Sequence, residues 1–311
     1  MKEYDIAIIG GGVTGLGASV YAARFNMKTI VFSGRLGGLI QDTHLVENYP
    51  GFKRLTGYEL FQNLLEHAKD YSDLVTINEE FVKNIKKLKD GFEVIGEKSK
   101  IKAKTILFAT GTRRRKLDIP GEKEFTNRGV SYCSACDAPI FRNKICIMVG
   151  GSDSAAKEAL LLSEFAKKVY IIYRKEKIHP EPINMKRVEE QIKKGKIEII
   201  NNTNIKEIKG DKFVTSVIFD RAHKGNKEFK CEGVFIEVGH IVESYLAKKL
   251  GVKTDNKDEI IIDRDSRTNI LGIYAAGDVA AREWKQAIVG VAEGVIATNS
   301  AYEFIQEQKV K

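Results

Sequence analysis

YDIAIIGGGVTGLGA (4–18) joins a short apolar run to a glycine-rich turn, and ASVYAARF (18–25) continues it as an apolar helical segment. Strand, turn and helix in that order predict a dinucleotide-binding unit. In Gly10-x-Gly12-x-x-Gly15 each glycine has a separate task. One makes the tight turn, the next lets backbone approach a pyrophosphate, and the third lets helix pack on strand. The phosphates would meet the N–H groups and positive end of the helix. A second strand, KTIVF (28–32), ends at Ser33, where an acid often binds a ribose hydroxyl. Serine can still hydrogen-bond that hydroxyl.

A comparable unit recurs from residue 144. KICIMV (144–149) is a strand, GGSDSAAKEALLLSEFA (150–166) a turn and helix, and KVYIIYRK (168–175) a second strand. Two such units fit two nucleotide-binding domains within 311 residues. The second turn is imperfect: Ser152 stands where the middle glycine belongs and Ala155 where the third does. Arg174 and Lys175 at the strand end suit a 2′-phosphate, pointing to NADP over NAD. Between the two units, TILFATG (105–111) returns as a strand. GIYAAGDVA (272–280) is a strand and turn that sets Asp278 at the carboxyl edge of a sheet, before a helical segment at 286–305.

YCSACDAP (132–139) carries Cys133 and Cys136, with Asp137 directly behind. Only four cysteines and five scattered histidines are present, and no second close pair completes a zinc site. So short a loop stabilises little as a staple. A reversible dithiol is the favoured reading, and no metal is expected. Cys146 and Cys231 lie in or beside apolar strands and read as buried small hydrophobes.

Composition narrows the class. The 43% hydrophobic and 30% charged fractions describe a globular chain with ordinary cores. No run approaches a membrane span, and MKEYDIAIIGGG enters a strand without a signal-type apolar region, so no membrane contact and a cytoplasmic location are expected. The net charge of +9 reads as lysine on solvated faces such as KNIKKLKD (83–90). No reader motif accompanies it, so nucleic acid is not expected as a partner.

Taken in order, these motifs resemble the low-molecular-weight thioredoxin reductases, FAD-dependent pyridine nucleotide-disulfide oxidoreductases. GGGVTGLG (10–17) looks like that family's FAD-phosphate loop, LVENYPGF (45–52) its flavin-side segment, and TILFATG (105–111) its returning strand. YCSACDAP (132–139) looks like its redox motif and GIYAAGDV (272–279) its second FAD motif, with Lys285-Gln286-Ala287 matching Arg-Gln-Ala. The resemblance implies an α/β architecture of two Rossmann-like three-layer domains, the second inserted in the first. The FAD domain would comprise 1–114 and 244–311, and the NAD(P)H domain, with the cysteines, 115–243.

The implied FAD contacts are Gly10, Gly12, Thr14, Gly15, Ser33, Gly38, Leu39, Asn48, Ala109, Thr110, Gly111, Gly277, Asp278, Gln286 and Ala287. Those to NADPH are Gly150, Ser152, Asp153, Ser154, Ala155, Arg174 and Lys175. Cys136 would face the flavin, Cys133 would attack the partner disulfide, and Asp137 would serve as general acid. Electrons would pass from NAD(P)H through FAD and the cysteine pair to thioredoxin or a glutaredoxin-like protein, in a homodimer. Departures cluster in the nucleotide half, where YRKEKIHP (173–180) stands for HRRxxxRA and GHIVES (239–244) for GHxPNT. NADH or another donor therefore stays open. So do a flavin dithiol oxidase and a non-enzymatic redox sensor.

Overall fold

The computed structural model describes residues 1–310. The chain divides into two compact units, Met1–Arg113 with Val242–Lys311, and Arg114–Ile241.

The first unit begins with β1 (Lys2–Ile9), α1 (Val13–Arg24), β2 (Thr29–Phe32), α2 (Gly57–Lys69) and β3 (Val75–Asn78). An antiparallel run, β4 (Val82–Leu88), β5 (Gly91–Gly96) and β6 (Lys100–Phe108), follows. β7 (Thr112–Arg114) then leads into the second unit. That unit holds β8 (Val130–Ser131), α3 (Ser134–Asp137), β9 (Ile145–Val149), α4 (Asp153–Phe165), β10 (Lys168–Ile172), α5 (Pro182–Lys193) and β11 (Ile197–Ile200). A meander, β12 (Ile205–Gly210), β13 (Val214–His223) and β14 (Asn226–Lys230), precedes β15 (Gly233–Ile236). The chain returns through β16 (His240–Val242) to α6 (Tyr245–Lys249), β17 (Ile273–Ala275) and α7 (Ala287–Val310).

In the first unit the sheet order is β3-β2-β1-β6-β5-β4, and β17 pairs with β6. β6 serves two partners in succession: Lys100–Ala103 pair antiparallel with β5, and Ile106–Phe108 pair parallel with β17. β1 lies at the centre and is buried on both faces, which is why it reads as an apolar run rather than an alternation. Its residues alternate between two cores. Ile6 and Ile8 pack with Ala18 and Ala22 of α1 and Ala297 and Ala301 of α7. Ala7 and Ile9 pack with Ile85, Phe92 and Val94 beneath the antiparallel strands. Each fully buried isoleucine contributes about 1.5–3 kcal/mol by leaving water.

The second unit repeats this plan. Its parallel sheet runs β11-β10-β9-β15-β8. Cys146 and Met148 of β9 face the helix side with Ala155, Ala159 and Val188. Ile147 and Val149 face the meander with Ile208, Val217 and Phe219. Each unit is thus a sheet sandwiched between helices and an antiparallel layer, the expected three-layer Rossmann-like arrangement.

Candidate active site

The first glycine turn is sterically closed on one side and open on the other. Gly10 has φ +120°, and a Cβ there would lie 2.1 Å from Ala109 O. At Gly15 a Cβ would lie 1.9 Å from Gly10 O. At Gly12 the nearest atom would be Gly37 O at 3.8 Å, so space is left above the helix start. α1 has no side-chain cap and no acid in its first turn. Its leading N–H groups are therefore available to an anion, and the turn fits a dinucleotide pyrophosphate.

The other first-unit residues are arranged around or beneath this turn. Gly37 N donates to Gly11 O at 2.8 Å, which seats Gly38 beside Gly12, with Leu39 following in a short 3₁₀ turn. Ser33 is buried under the loop; a Cβ on Gly11 would meet its Oγ at 2.9 Å. Thr14 is also buried, and its Oγ1 would be 2.5 Å from a Cβ on either Gly277 or Gly290. It packs the second motif against the first. Ala109 is buried, Thr110 Oγ1 donates to Glu243 O at 2.7 Å, and Gly111 has φ +61° with open space around it.

Asp278 is exposed just beyond β17, and its carboxylate has no protein partner among the described residues. Its turn is fastened from two sides. Glu293 of α7 accepts from Gly277 N at 2.9 Å and from Arg282 Nε at 2.7 Å. Lys285 Nζ donates to Asp278 O at 2.8 Å and to Glu259 at 2.7 Å. Asn48 Nδ2 donates to Gln286 Oε1 at 3.0 Å, next to Ala287 at the start of α7. Trp284, just before Lys285, is 65% exposed.

In the second unit Gly150 has φ +149°, and a Cβ there would lie 2.2 Å from Glu237 O and 2.9 Å from the Ala155 methyl. Ala155 is fully buried, so it packs the helix on the strand as a third glycine would. Ser152 caps α4, its Oγ accepting from Ala155 N at 3.4 Å. Asp153 is engaged by protein: its carboxylate accepts from Glu181 N at 2.9 Å, Asn184 Nδ2 at 2.8 Å and Lys157 Nζ at 3.3 Å. It ties the segment after β10 to α4. Ser154 is exposed, as are Arg174 and Lys175. Tyr173 is 8% exposed; its ring covers Gly151 and its hydroxyl meets His179 Nδ1 at 3.2 Å.

Cys133 and Cys136 form a disulfide with Cα atoms 5.4 Å apart. Cys133 is the N-cap of α3, its Sγ accepting from Cys136 N at 3.1 Å. Asp137 Oδ2 accepts from Ser131 Oγ at 2.6 Å, and the same hydroxyl receives Cys133 N at 3.1 Å. Ser134 N donates to Glu158 Oε2 of α4 at 2.6 Å. Burial pushes the Cys146 thiol up to about 12, and burial raises Cys231 further, with Cys146 adding to it. Neither is a nucleophile in the folded chain. Ser131, Glu158 and Glu293 were not singled out by the sequence reading. The one available cue was an acid, Glu158, one helical turn into a dinucleotide-type helix.

A disulfide on a helix start beside a held acid, in a chain with two dinucleotide-type turns, defines a nucleotide-linked disulfide oxidoreductase. The chain belongs to the pyridine nucleotide-disulphide oxidoreductase family, whose model matches residues 4–294. It is 36% identical to a thioredoxin reductase of Peptoclostridium acidaminophilum over 97% of each chain. The crystal structure of Lactococcus lactis thioredoxin reductase (FR conformation) superposes with TM-score 0.91 at 38% identity, covering 98% of this chain and 99% of that one. T. acidophilum thioredoxin reductase gives 0.90 at 34% identity, with full coverage of both. Membership implies a flavin and a pyridine nucleotide. No helix among the described residues is long and apolar enough to cross a membrane.

Proposed function

We propose that this protein is a thioredoxin-disulfide reductase, using FAD and NAD(P)H to reduce thioredoxin or a thioredoxin- or glutaredoxin-like protein in the cytoplasm as a homodimer. The observation that carries the reading is the Cys133–Cys136 disulfide with Asp137 held 2.6 Å from Ser131. The first unit would be the FAD domain and the second the NAD(P)H domain.

The Gly10–Gly15 turn, Gly38 and the α1 start would hold the FAD pyrophosphate, Asp278 the ribityl chain, and Asn48 with Gln286 the ring edge. When bound, the flavin supplies a two-electron relay between a nicotinamide and the disulfide. Opening the Cys133–Cys136 bond consumes two electrons and two protons. Cys133 as thiolate then attacks a partner disulfide, giving a mixed disulfide and a departing partner thiolate that Asp137 protonates. Cys136 attacks the Cys133 sulfur, which restores the intramolecular disulfide and releases the second partner thiol.

Arg174 and Lys175 would meet the 2′-phosphate of NADPH. A second reading, a donor other than NADPH, is favoured by Ser152, which caps a helix start that would otherwise receive the pyrophosphate. Anaerobic titration of the purified protein with NADPH, NADH and thioredoxin, followed by flavin absorbance, tests both. Bleaching by NADPH and recovery with oxidised thioredoxin is the expected result. A protein that takes up no FAD, or keeps disulfide turnover after Cys133→Ser or Cys136→Ser, overturns the reading. Peroxide formed from dithiols without nicotinamide would mark a dithiol oxidase instead. Redox-dependent partner binding without turnover would mark a sensor.

A further inference from the structure

We infer that Glu158 is a positioning residue that keeps the Cys133–Cys136 couple strongly reducing, by setting its carboxylate on the first amide of the redox turn. The inference rests on the reading of this pair as the redox disulfide.

At a helix start the N-cap side chain accepts from the N2 or N3 N–H, and the N1 N–H is left to another acceptor. In α3 the N-cap is Cys133, whose sulfur already accepts from Cys136 N at 3.1 Å. Ser134 N is the N1 amide of that turn, and it donates to Glu158 Oε2 at 2.6 Å, a carboxylate brought in by α4 from 24 residues away. Amides at a helix start stabilise a thiolate and lower its pKa. Stabilising the reduced form of a couple makes it a stronger oxidant. The disulfide gains two electrons and two protons on reduction, and at neutral pH a stabilised Cys133 thiolate would retain part of that negative charge. Glu158 cancels the partial positive charge of the first amide of that turn and sets a negative charge beside it. Both effects favour the disulfide and so make the dithiol a better electron donor. The same bond fixes the redox turn to the helix that follows the second glycine turn.

The test equilibrates the full-length protein with dithiothreitol buffers of graded ratio. The Cys133/Cys136 state is read by alkylation and mass spectrometry of the peptide that carries both. Glu158→Gln keeps an acceptor of the same shape without the charge, and Glu158→Ala removes it. Expected is a shift of the equilibrium toward dithiol of about tenfold for Glu158→Ala, about 30 mV, and a smaller shift in the same direction for Glu158→Gln. In a Ser134→Pro background the Glu158→Ala shift should shrink to about the size of the Glu158→Gln shift, because the N–H is gone and only the charge is left to remove. The backbone there tolerates the change: Cys133 has φ −149° and ψ 101°, the extended conformation favoured before proline, and Ser134 is the first helical residue. Equal midpoints in wild type, Glu158→Gln and Glu158→Ala would overturn the inference, as would a Glu158→Ala shift that persists undiminished beside Ser134→Pro. A wild-type pair that does not cycle between disulfide and dithiol at any ratio overturns the functional reading itself. A pair that cycles normally in a protein without thioredoxin turnover overturns only the substrate assignment, with the midpoint shifts still deciding the role of Glu158.

Discussion

Asn48 and Gln286, 238 residues apart in sequence, are joined by one hydrogen bond of 3.0 Å between their side-chain amides. Each amide has one donor and one acceptor edge, so using Nδ2 of one and Oε1 of the other leaves Asn48 Oδ1 and Gln286 Nε2 for a ligand. Gln286→Ala removes both the bond and the free donor. The expected outcome is a loss of about 1–3 kcal/mol of flavin affinity, a rise in Kd of about five- to 150-fold, read by the ratio of 450 to 280 nm absorbance after dilution. Gln286→Glu should weaken binding further if the free edge must donate.

Ser131 and Asp137 make a second testable pair. The Ser131 hydroxyl donates to Asp137 and receives Cys133 N, so one side chain orients both the acid and the loop. Asp137→Asn should slow reduction of the partner disulfide by about 10²-fold or more, the low end for a lost general acid. Ser131→Ala should slow it about tenfold. Reduction of the flavin by the nicotinamide should be unchanged in both, as read by stopped-flow absorbance in the two half-reactions.

In the nucleotide half, the groups facing outward are the exposed Arg174 and Lys175, while Asp153 is already satisfied by Glu181, Asn184 and Lys157. Removing both cations, as Arg174→Ala with Lys175→Ala, should raise KM for NADPH about tenfold or more and leave KM for NADH within about twofold. Ser152→Gly should act oppositely, lowering KM for either nucleotide by about threefold. It frees the Ala155 N–H at little cost, since glycine replaces a capping serine for only a few tenths of a kcal/mol. An unchanged KM for NADPH in the double variant would point to a different donor.

The motifs legible in the sequence are those whose meaning is local. Gly10, Gly15 and Gly150 have to be glycine because their own backbone turns against a neighbouring carbonyl, and that requirement leaves a spacing in the chain. The Cys133–Cys136 pair is local in the same sense. Glu158 and Glu293 act through contacts that only the folded sheet order creates: α4 against the redox turn, α7 against the Asp278 turn. A charged residue on a helix face carries no mark of which distant N–H it will meet. Thr14 shows the converse. It lies inside the glycine motif and is implied as a cofactor contact, yet its side chain is wedged against Gly277 and Gly290, where it sets the spacing between two loops. Asp153 likewise lies in the second motif and is spent on fastening the segment that bears the basic residues.

The two remaining cysteines give a pH prediction whose sign is fixed by burial. Cys146 is raised from the ordinary 9.0 to about 12, and Cys231 is raised as well, burial being the first cause for both. Above pH 9 the unfolded chain sheds these thiol protons while the native chain holds them. The unfolded state then binds fewer protons, and stability falls as pH rises. Two thiols give a slope of up to about 2.7 kcal/mol per pH unit once both are fully ionised in the unfolded state. Tyr274, Tyr132 and Tyr49, each raised from 10.0 with burial as the first cause, add the same sign, beginning between pH 9 and 10 and growing above pH 10. The interval from pH 9 to 10 therefore weights the thiols, whose ordinary value is a unit lower, and the double cysteine variant separates their share. Urea unfolding at pH 7, 9 and 10 should show a falling midpoint, and the decline between pH 9 and 10 should flatten in Cys146→Ala with Cys231→Ala, whatever their cost in packing at pH 7. Below pH 9 the native protein should offer thiol reagents nothing before reduction and only Cys133 and Cys136 after it. Rapid labelling of Cys146 or Cys231 without denaturant would contradict the burial that carries the argument.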